Sequence, residues 1–142
     1  YRLHLTAAVS KSFTLRTRIE MSTYKKDGHL SEGFMIYQDL LYHPMMSRWK
    51  GTIRFALFHT DSYDSRIYAY ENEVLYGYSI APYYYKGSRF YINFRIKVIK
   101  GLDLWLRYAL TSYWDREVIG SGWDEITGNK KSDIKVQLRY EF

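Results

Sequence analysis

The histidines and one short polar run have the residue types needed for catalysis or metal binding. The four histidines are His4, His29, His43 and His59. Their separation matches no metal-ligand spacing such as His-x-x-x-His, and the chain has no Cys. His59, Asp61 and Ser62 have the types of a hydrolytic triad, but neighbouring residues of a strand point to opposite faces. We therefore expect no catalytic residue, no metal site and no cofactor.

A second set with potential chemistry consists of basic side chains at alternate positions. They are Arg16, Arg18, Arg54, Arg89, Arg95, Lys97, Arg107 and Arg139, with Lys50 and Lys135 at further such positions. Carboxylates on the same predicted face are fewer: Glu20, Asp39, Asp103, Asp133 and Glu141. In a barrel these side chains would point into the lumen. We favour a salt-bridged interior, because an unpaired buried charge is costly, over a water-filled path for anions.

The formal net charge of +6 raises the question of a nucleic-acid partner. The Lys and Arg residues are spread one by one along the chain rather than clustered in a patch. Nucleic-acid binding usually depends on such a patch, so we expect no nucleic-acid partner for this segment.

The elements that would position these side chains are best indicated by residues 133–142 (DIKVQLRYEF), which alternate strictly between polar and apolar types. The apolar positions are Ile134, Val136, Leu138, Tyr140 and Phe142. A period of two indicates a strand, and alternate residues of an outer-membrane barrel face lipid and lumen. We interpret this stretch as a transmembrane closing strand. Its apolar residues and terminal Phe142 would form the signal read by the barrel-assembly machinery.

Similar alternation predicts most of the remaining chain to be strand. The clear segments are residues 2–10, 13–24, 33–42, 49–60, 89–98 and 102–114, and weaker ones are 66–70 and 74–85. The predicted loops are residues 25–32, 61–65 and 115–131, and the predicted tight turns are 11–12, 86–87 and 100–101. The loop at 115–131 follows Trp114 and contains Trp123 and Ile126. We interpret these apolar side chains as packing within the loop and anchoring it at the membrane interface, rather than as a surface for a partner or ligand.

Turn lengths restrict the number of strands. Short periplasmic turns and long outer loops allow seven or nine strands, whereas bacterial single-chain barrels have an even number. We therefore predict one all-β domain over residues 1–142, an antiparallel transmembrane barrel portion forming the carboxy-terminal strands of a larger barrel. A complete eight-stranded barrel is the alternative. No stretch has the roughly 18–20 apolar residues of a membrane-spanning helix, and 19% of the residues are aromatic.

Three stretches resemble a known family: residues 64–72 (DSRIYAYEN), 102–108 (LDLWLRY) and 119–129 (IGSGWDEITGN). Together they resemble the carboxy-terminal barrel region of Bacteroidota outer-membrane proteins that carry helix-hairpin-helix segments upstream. The resemblance implies an outer-membrane location and a porin-like barrel architecture. The family's DNA-binding module has no counterpart in these residues, so that activity is not carried over.

The preferred function is that of a non-enzymatic outer-membrane barrel acting as a channel, scaffold or complex component. Its expected partners are the lipid bilayer, the barrel-assembly machinery and other outer-membrane proteins. The alternative is a soluble lipocalin-like barrel that binds an apolar ligand, with the alternation inverted so that Phe90, Phe94 and Leu106 lie inside. An enzyme of the outer membrane would instead need a His close to a Ser or carboxylate at the outer rim.

Overall fold

The structure, a computed structural model, describes residues 1–26, 28–120 and 122–142. Within these residues the chain is built from strands and two short 3-10 turns, Tyr63–Ser65 and Gly122–Asp124. The strands are β1 (Arg2–Ala8), β2 (Phe13–Lys26), β3 (His29–Tyr42), β4 (Trp49–Thr60), β5 (Ile67–Glu71), β6 (Ser79–Tyr83), β7 (Lys86–Ile99), β8 (Leu102–Tyr113), β9 (Val118–Ile119), β10 (Ile126–Thr127) and β11 (Lys130–Tyr140). The all-β prediction is confirmed.

Seven of these strands form one antiparallel sheet in the order β1-β2-β3-β4-β7-β8-β11. Strands β1 and β11 lie at its two edges, so the described residues form neither a closed barrel nor the complete eight-stranded barrel of the alternative prediction. The count of seven is one of the two that the turn pattern allows. Strands β5 and β6 lie between β4 and β7 in sequence but pair with each other instead of entering the sheet.

The two faces of the sheet differ in polarity. One face, the hairpin face, carries buried charged residues such as Arg54 and Arg107, each 3% exposed. The opposite face, the apolar face, carries exposed hydrophobic residues such as Phe55, which is 50% exposed. This separation follows directly from the period of two along each strand.

The β5–β6 hairpin lies against the hairpin face and forms the core with it. The core side chains are Met35, Tyr37, Ala56, Phe58, Ile67, Ala69, Ala81, Tyr83, Tyr113 and Ile119. Both ends of the hairpin connect to the same end of the sheet, after Thr60 and before Lys86. A Cβ at Gly33 would meet the carbonyl oxygen of Ser65, so this glycine permits the close approach of the segment entering the hairpin. The hairpin therefore folds inward along the sheet.

The connection between β2 and β3 corrects the prediction of a loop at residues 25–32. The strands continue to Lys26 and resume at His29, with register pairs maintained up to that point. Gly28 has a φ of 81°, the left-handed region that glycine adopts readily. Asp27 lies outside the described residues. Because pairing continues up to Lys26 and His29, the polar residues on both sides belong to the strands rather than to a loop.

Other boundaries also differ from the prediction. Residues 86–87 begin β7 rather than forming a turn, because β7 pairs with β4 and β8 from Lys86 and Gly87 onward. Within residues 74–85 only the part around Pro82 is strand. The predicted loop 115–131 contains the β9–β10 pair, in which Ile126 lies opposite Ile119. The turn at 100–101 and the strand after it are confirmed.

In the part of the chain that the structure describes, no helix has the length and apolar character required to cross a membrane.

Candidate functional site

The centre of the interface between hairpin and sheet is the carboxylate of Glu71. It lies at the end of β5 and its side chain is completely buried. Arg89 of β7 donates two hydrogen bonds to it, at 2.6 and 2.9 Å, and Arg107 of β8 donates a third at 2.5 Å. The hydroxyl of Tyr83 in β6 donates a fourth at 2.8 Å. One carboxylate therefore connects two sheet strands to both strands of the hairpin.

The surroundings of Glu71 determine its charge state. Burial acts to raise the pKa of Glu71, but the hydrogen bonds and charge of Arg89, with further contributions from Tyr83 and Arg107, lower it below its usual value. Burial raises the pKa of the Tyr83 phenol, and the neighbouring Glu71 carboxylate raises it further. Tyr83 is therefore a neutral donor and Glu71 a charged acceptor at neutral pH.

Arginines from three sheet strands also donate hydrogen bonds to the backbone carbonyl oxygens along the unpaired edge of β5. Arg18 donates to the carbonyl oxygen of Tyr68 at 3.1 Å, and Arg54 donates to that of Tyr70 at 2.8 Å. Arg107 donates to the carbonyl oxygen of Asn72, just beyond the strand, at 3.3 Å. These acceptors alternate along the backbone because the carbonyls between them face β6. Guanidinium groups thus replace a neighbouring strand along this edge.

Arg54 occupies the middle of this row, and its charge is paired with a buried carboxylate. Its Nε and Nη2 atoms donate to the two carboxylate oxygens of Asp39 at 2.5 and 2.7 Å. Its guanidinium carbon lies 3.6 Å from the ring centroid of Tyr37 and 5.3 Å from that of Tyr91. A bidentate carboxylate and two aromatic faces hold the guanidinium in one orientation.

A second group of contacts fixes the segment that follows β5. The side-chain amide of Asn72 donates to Thr52 at 2.7 Å, and its backbone N–H donates to the hydroxyl of Tyr91 at 3.2 Å. Asn93 donates to the carbonyl oxygen of Glu73 at 2.8 Å. The buried Glu73 carboxylate accepts from Lys135 of β11 at 2.7 Å. The hairpin is therefore bonded to the sheet from β2 across to β11.

The structure brings some of the predicted basic residues together and leaves others apart. Arg18, Arg54, Arg89 and Arg107 contact the hairpin, as described, and Arg18 also pairs with Glu20. Arg95 pairs with Asp103 at 3.0 Å on the same face, away from Glu71. The remaining predicted positions are outside this network: Arg16 and Lys97 are exposed, and Arg139 pairs with Glu141.

The polar run at the end of β4 does not assemble into a triad. His59 Nε2 lies 3.9 Å from Asp61 Oδ1, and both side chains are more than half exposed. The Ser62 hydroxyl instead lies 2.7 Å from that of Ser31 and accepts from the backbone N–H of Asp64. Among the described residues no group of three or more His, Asp or Glu side chains could hold a metal ion. The absence of catalysis and of a cofactor stays a prediction.

The predicted assembly signal lies at the edge of the sheet. Ile134, Val136 and Leu138 are 72%, 62% and 66% exposed on the apolar face of β11. Strand pairing ends at Tyr140, so Phe142 lies beyond the strand. The Phe142 ring contacts the Tyr140 ring edge-to-face at 5.1 Å between centroids.

Glu71, Glu73 and Tyr83 are central residues that the sequence did not single out. A signal for Glu71 exists in the alternation of Ile67, Ala69 and Glu71, which places a carboxylate on the apolar side of a short strand. Such a carboxylate must be paired when buried. The excess of arginine over carboxylate on the hairpin face indicated that partners were needed. The carboxylates that pair with these arginines could not be identified from the sequence, because they belong to a hairpin whose position on the sheet depends on contacts between residues far apart in the chain.

These features define a class of architecture: an open antiparallel sheet with an exposed apolar face and a charged face covered by an inward-folded hairpin. Comparisons of the chain with protein-family models, curated proteins and solved structures gave no match. The resemblance to Bacteroidota barrel regions therefore stays a prediction.

Proposed function

We propose that this chain is a portion of an outer-membrane β-barrel and acts as a non-enzymatic scaffold or complex component whose interior is filled by the β5–β6 hairpin. The observation that carries the proposal is the polarity of the sheet. The ion pairs at the centre of the sheet are buried, whereas Phe55, Leu57 and Leu106 of central strands are more than one-third exposed. Soluble monomers rarely expose a contiguous apolar surface of this kind, whereas a lipid-facing barrel surface requires it.

Strand length supports the same proposal. Strands β2, β3 and β7 have 14 residues each, and β4 and β8 have 12. A tilted transmembrane strand needs about 9–11 residues to cross the hydrocarbon layer. These strands are therefore long enough to span a bilayer with residues remaining at each end.

Aromatic side chains at one end of the sheet provide further support. Phe13 packs on Tyr42 at a centroid distance of 4.9 Å, and Trp49 packs on Phe94 at 5.2 Å. Strand pairing brings these residues to the end where β2 and β4 begin and β3 ends, the end at which Tyr140 closes β11. Rows of aromatic residues at the lipid–water boundary are typical of outer-membrane barrels.

The direction of the edge strands indicates what the barrel still needs. Because seven strands alternate in direction, β1 and β11 run the same way and cannot pair antiparallel with each other. A second copy inserted in the same orientation presents the same directions and cannot close the ring antiparallel either. An odd number of additional strands solves both problems and gives the even total usual in bacterial barrels. We therefore propose that further strands, from this polypeptide or from another, join the two edges.

The hairpin favours a scaffold over an open channel. The cations nearest the sheet centre, Arg54, Arg89 and Arg107, are all bonded to carboxylates. A selective anion path needs charges that face water, so this arrangement favours the salt-bridged interior among the two interpretations of the basic face. The exposed position of Leu106 disfavours the lipocalin-like alternative, which needs that residue inside.

Fractionation of the native protein tests the proposal. We expect extraction from membranes to require detergent, and the intact mass of the purified protein or complex to exceed 17.1 kDa. Recovery of the chain in buffer without detergent would contradict the membrane location. Recovery from membranes at 17.1 kDa, with no partner chain, would contradict the need for additional strands.

A further inference from the structure

A cavity lined by tyrosines lies at the end of the sheet where the hairpin enters. It has a volume of about 450 Å³. Its aromatic lining residues are Tyr63, Tyr84, Tyr85 and Tyr113, and Arg116, Val118, Ile119 and Gly120 of the following loop complete it. The volume lies within the range typical of small-molecule sites. None of these residues belongs to the Glu71 network or to the apolar face.

The rings are arranged around Tyr84. Its ring centroid lies 5.1 Å from those of Tyr63 and Tyr85, both edge-to-face, and 5.5 Å from that of Tyr113. Tyr113 and Ile119 are 4% and 5% exposed and form the floor, while Tyr63 is 48% exposed at the margin. Interlocking edge-to-face pairs hold the rings in fixed orientations. The site is therefore largely formed before any ligand binds.

Tyr85 has an unusual backbone conformation that the surrounding structure maintains. Its φ is 62°, the left-handed region that bulky side chains rarely adopt. Its N–H donates to the Thr60 hydroxyl at 2.7 Å, and its carbonyl oxygen accepts from the Thr60 N–H at 2.8 Å. Strained residues held in this way concentrate at binding sites. The conformation aims the Tyr85 ring into the cavity.

The chemistry of the lining limits the class of ligand. The guanidinium carbon of Arg116 lies 3.7 Å from the centroid of the Tyr85 ring, and this positive charge disfavours a cationic ligand. In the described part of the chain, the hydroxyls of Tyr63 and Tyr85 donate no hydrogen bond to another residue. Aromatic rings, free hydroxyls and a guanidinium already stacked on Tyr85 suit a ligand that has both apolar C–H groups and many hydroxyl groups.

We infer that this tyrosine cavity is a carbohydrate-binding site, in which one sugar ring packs among the lining tyrosine rings beside the Tyr85–Arg116 pair and its hydroxyl groups bond to Tyr63 and Arg116. Arg116 and Ile119 of the loop at residues 115–131 form one wall of the site. From the sequence alone we had interpreted this loop as packing on itself. The inference does not depend on the membrane proposal, because the cavity is formed by the loops and the hairpin entry rather than by the apolar face.

The test measures binding to the full-length protein in the detergent or buffer that keeps it folded. The probes are neutral trisaccharides of glucose, mannose, galactose and N-acetylglucosamine, with tetramethylammonium as a cationic probe, followed by saturation-transfer NMR. We expect at least one trisaccharide to bind and tetramethylammonium not to bind. Binding of none of the trisaccharides, or of tetramethylammonium alone, would overturn the inference.

Variants locate the site. Tyr85→Gly relieves the left-handed backbone, removes one lining ring and leaves Arg116 without its stacking partner. The affinity should therefore fall about tenfold or more, the loss expected for an aromatic contact of about 1.4 kcal/mol. Tyr76→Gly is the matched control, because Tyr76 also has a φ of 62° but is 87% exposed and outside the cavity. Its affinity should remain within about twofold of the parent.

A second variant covers the case in which Tyr85→Gly fails to fold. Tyr63→Ala changes a side chain that is 48% exposed, so the fold should tolerate it. The affinity for the trisaccharide should again fall. Unchanged affinity in both cavity variants, or equal losses in Tyr76→Gly, would place the sugar elsewhere and overturn the assignment.

Discussion

Glu71 is the residue on which most of the polar core converges, since it accepts from two arginines and a tyrosine in a fully buried position. Removing its charge leaves Arg89 and Arg107 without their main partner. We expect Glu71→Gln to lower the free energy of unfolding by about 3 kcal/mol, because breaking a buried ion pair strands the remaining charge. Urea titration followed by the circular dichroism of the strands measures this change.

Asp133→Asn is the matched control for that variant. Asp133 also pairs with Arg107, at 3.2 Å, but its side chain is 46% exposed. Solvent screens the pair, so its loss should cost less than about 1 kcal/mol. Equal effects of the two variants would show that Glu71 is not the centre of the network.

The pH dependence of stability follows from the same carboxylate. The pKa of Glu71 is lower in the folded state than in the unfolded chain, where the pKa of a Glu is about 4.3. Its contribution to stability is therefore complete above that value and is lost as the pH falls through the lower folded-state pKa. We expect the parent protein to lose stability on acidification more steeply than Glu71→Gln. Parallel pH profiles for the two proteins would contradict this role.

The long strands of the sheet could be predicted from their own sequence, whereas the short β5–β6 hairpin could not. In β7, β8 and β11 apolar residues recur at every second position over four or five repeats, and the structure confirms a strand in each of these places. Hairpin β5–β6 was only weakly predicted, because five-residue strands carry too few periods for a clear pattern. Its position on the sheet depends on contacts such as Arg107 with Glu71, which are 36 residues apart. No local pattern contains that information.

Strand β4 provides a test of the apolar face. Phe55 lies at the middle of the strand and is 50% exposed. If this face contacts lipid, Phe55→Arg should destabilise the folded state in a bilayer by about 2–4 kcal/mol. Urea titration of the protein in lipid vesicles measures the change.

Ile99→Arg is the positional control for Phe55→Arg. Ile99 is 62% exposed and pairs with Leu102 on the same face but lies at the end of β7, so the cost there should be about 0–1 kcal/mol. On a water-exposed face neither substitution would matter. Small and equal effects at the two positions would therefore contradict lipid contact.

Strand β11 carries the proposed assembly signal. Replacing Phe142 with Asp removes the terminal aromatic contact with Tyr140 and places a charge at the end of the strand. We expect the fraction of newly made protein inserted into the outer membrane to fall sharply, as measured by membrane fractionation after pulse labelling. Glu141→Gln, which leaves every apolar residue in place, is the control. Normal insertion of Phe142→Asp would remove this role from Phe142.

If the sheet is closed into a barrel by further strands, as we propose, the β5–β6 hairpin fills its interior. The native assembly should show no steady current in planar bilayers, because the hairpin is bonded to the sheet from β2 to β11. Replacing residues 67–83 with a short Gly-Ser linker should produce a current if a barrel remains. A steady current from the parent assembly would favour the channel interpretation over the scaffold.

Spin-label accessibility along β11 measures whether the apolar face contacts lipid. The chain has no Cys, so single cysteines can be introduced at positions 133–138, where the side chains of this edge strand are largely exposed. In membranes, labels at 134, 136 and 138 should collide mainly with oxygen, and labels at 133, 135 and 137 with a water-soluble nickel complex. Water accessibility at all six positions would contradict a lipid-facing barrel.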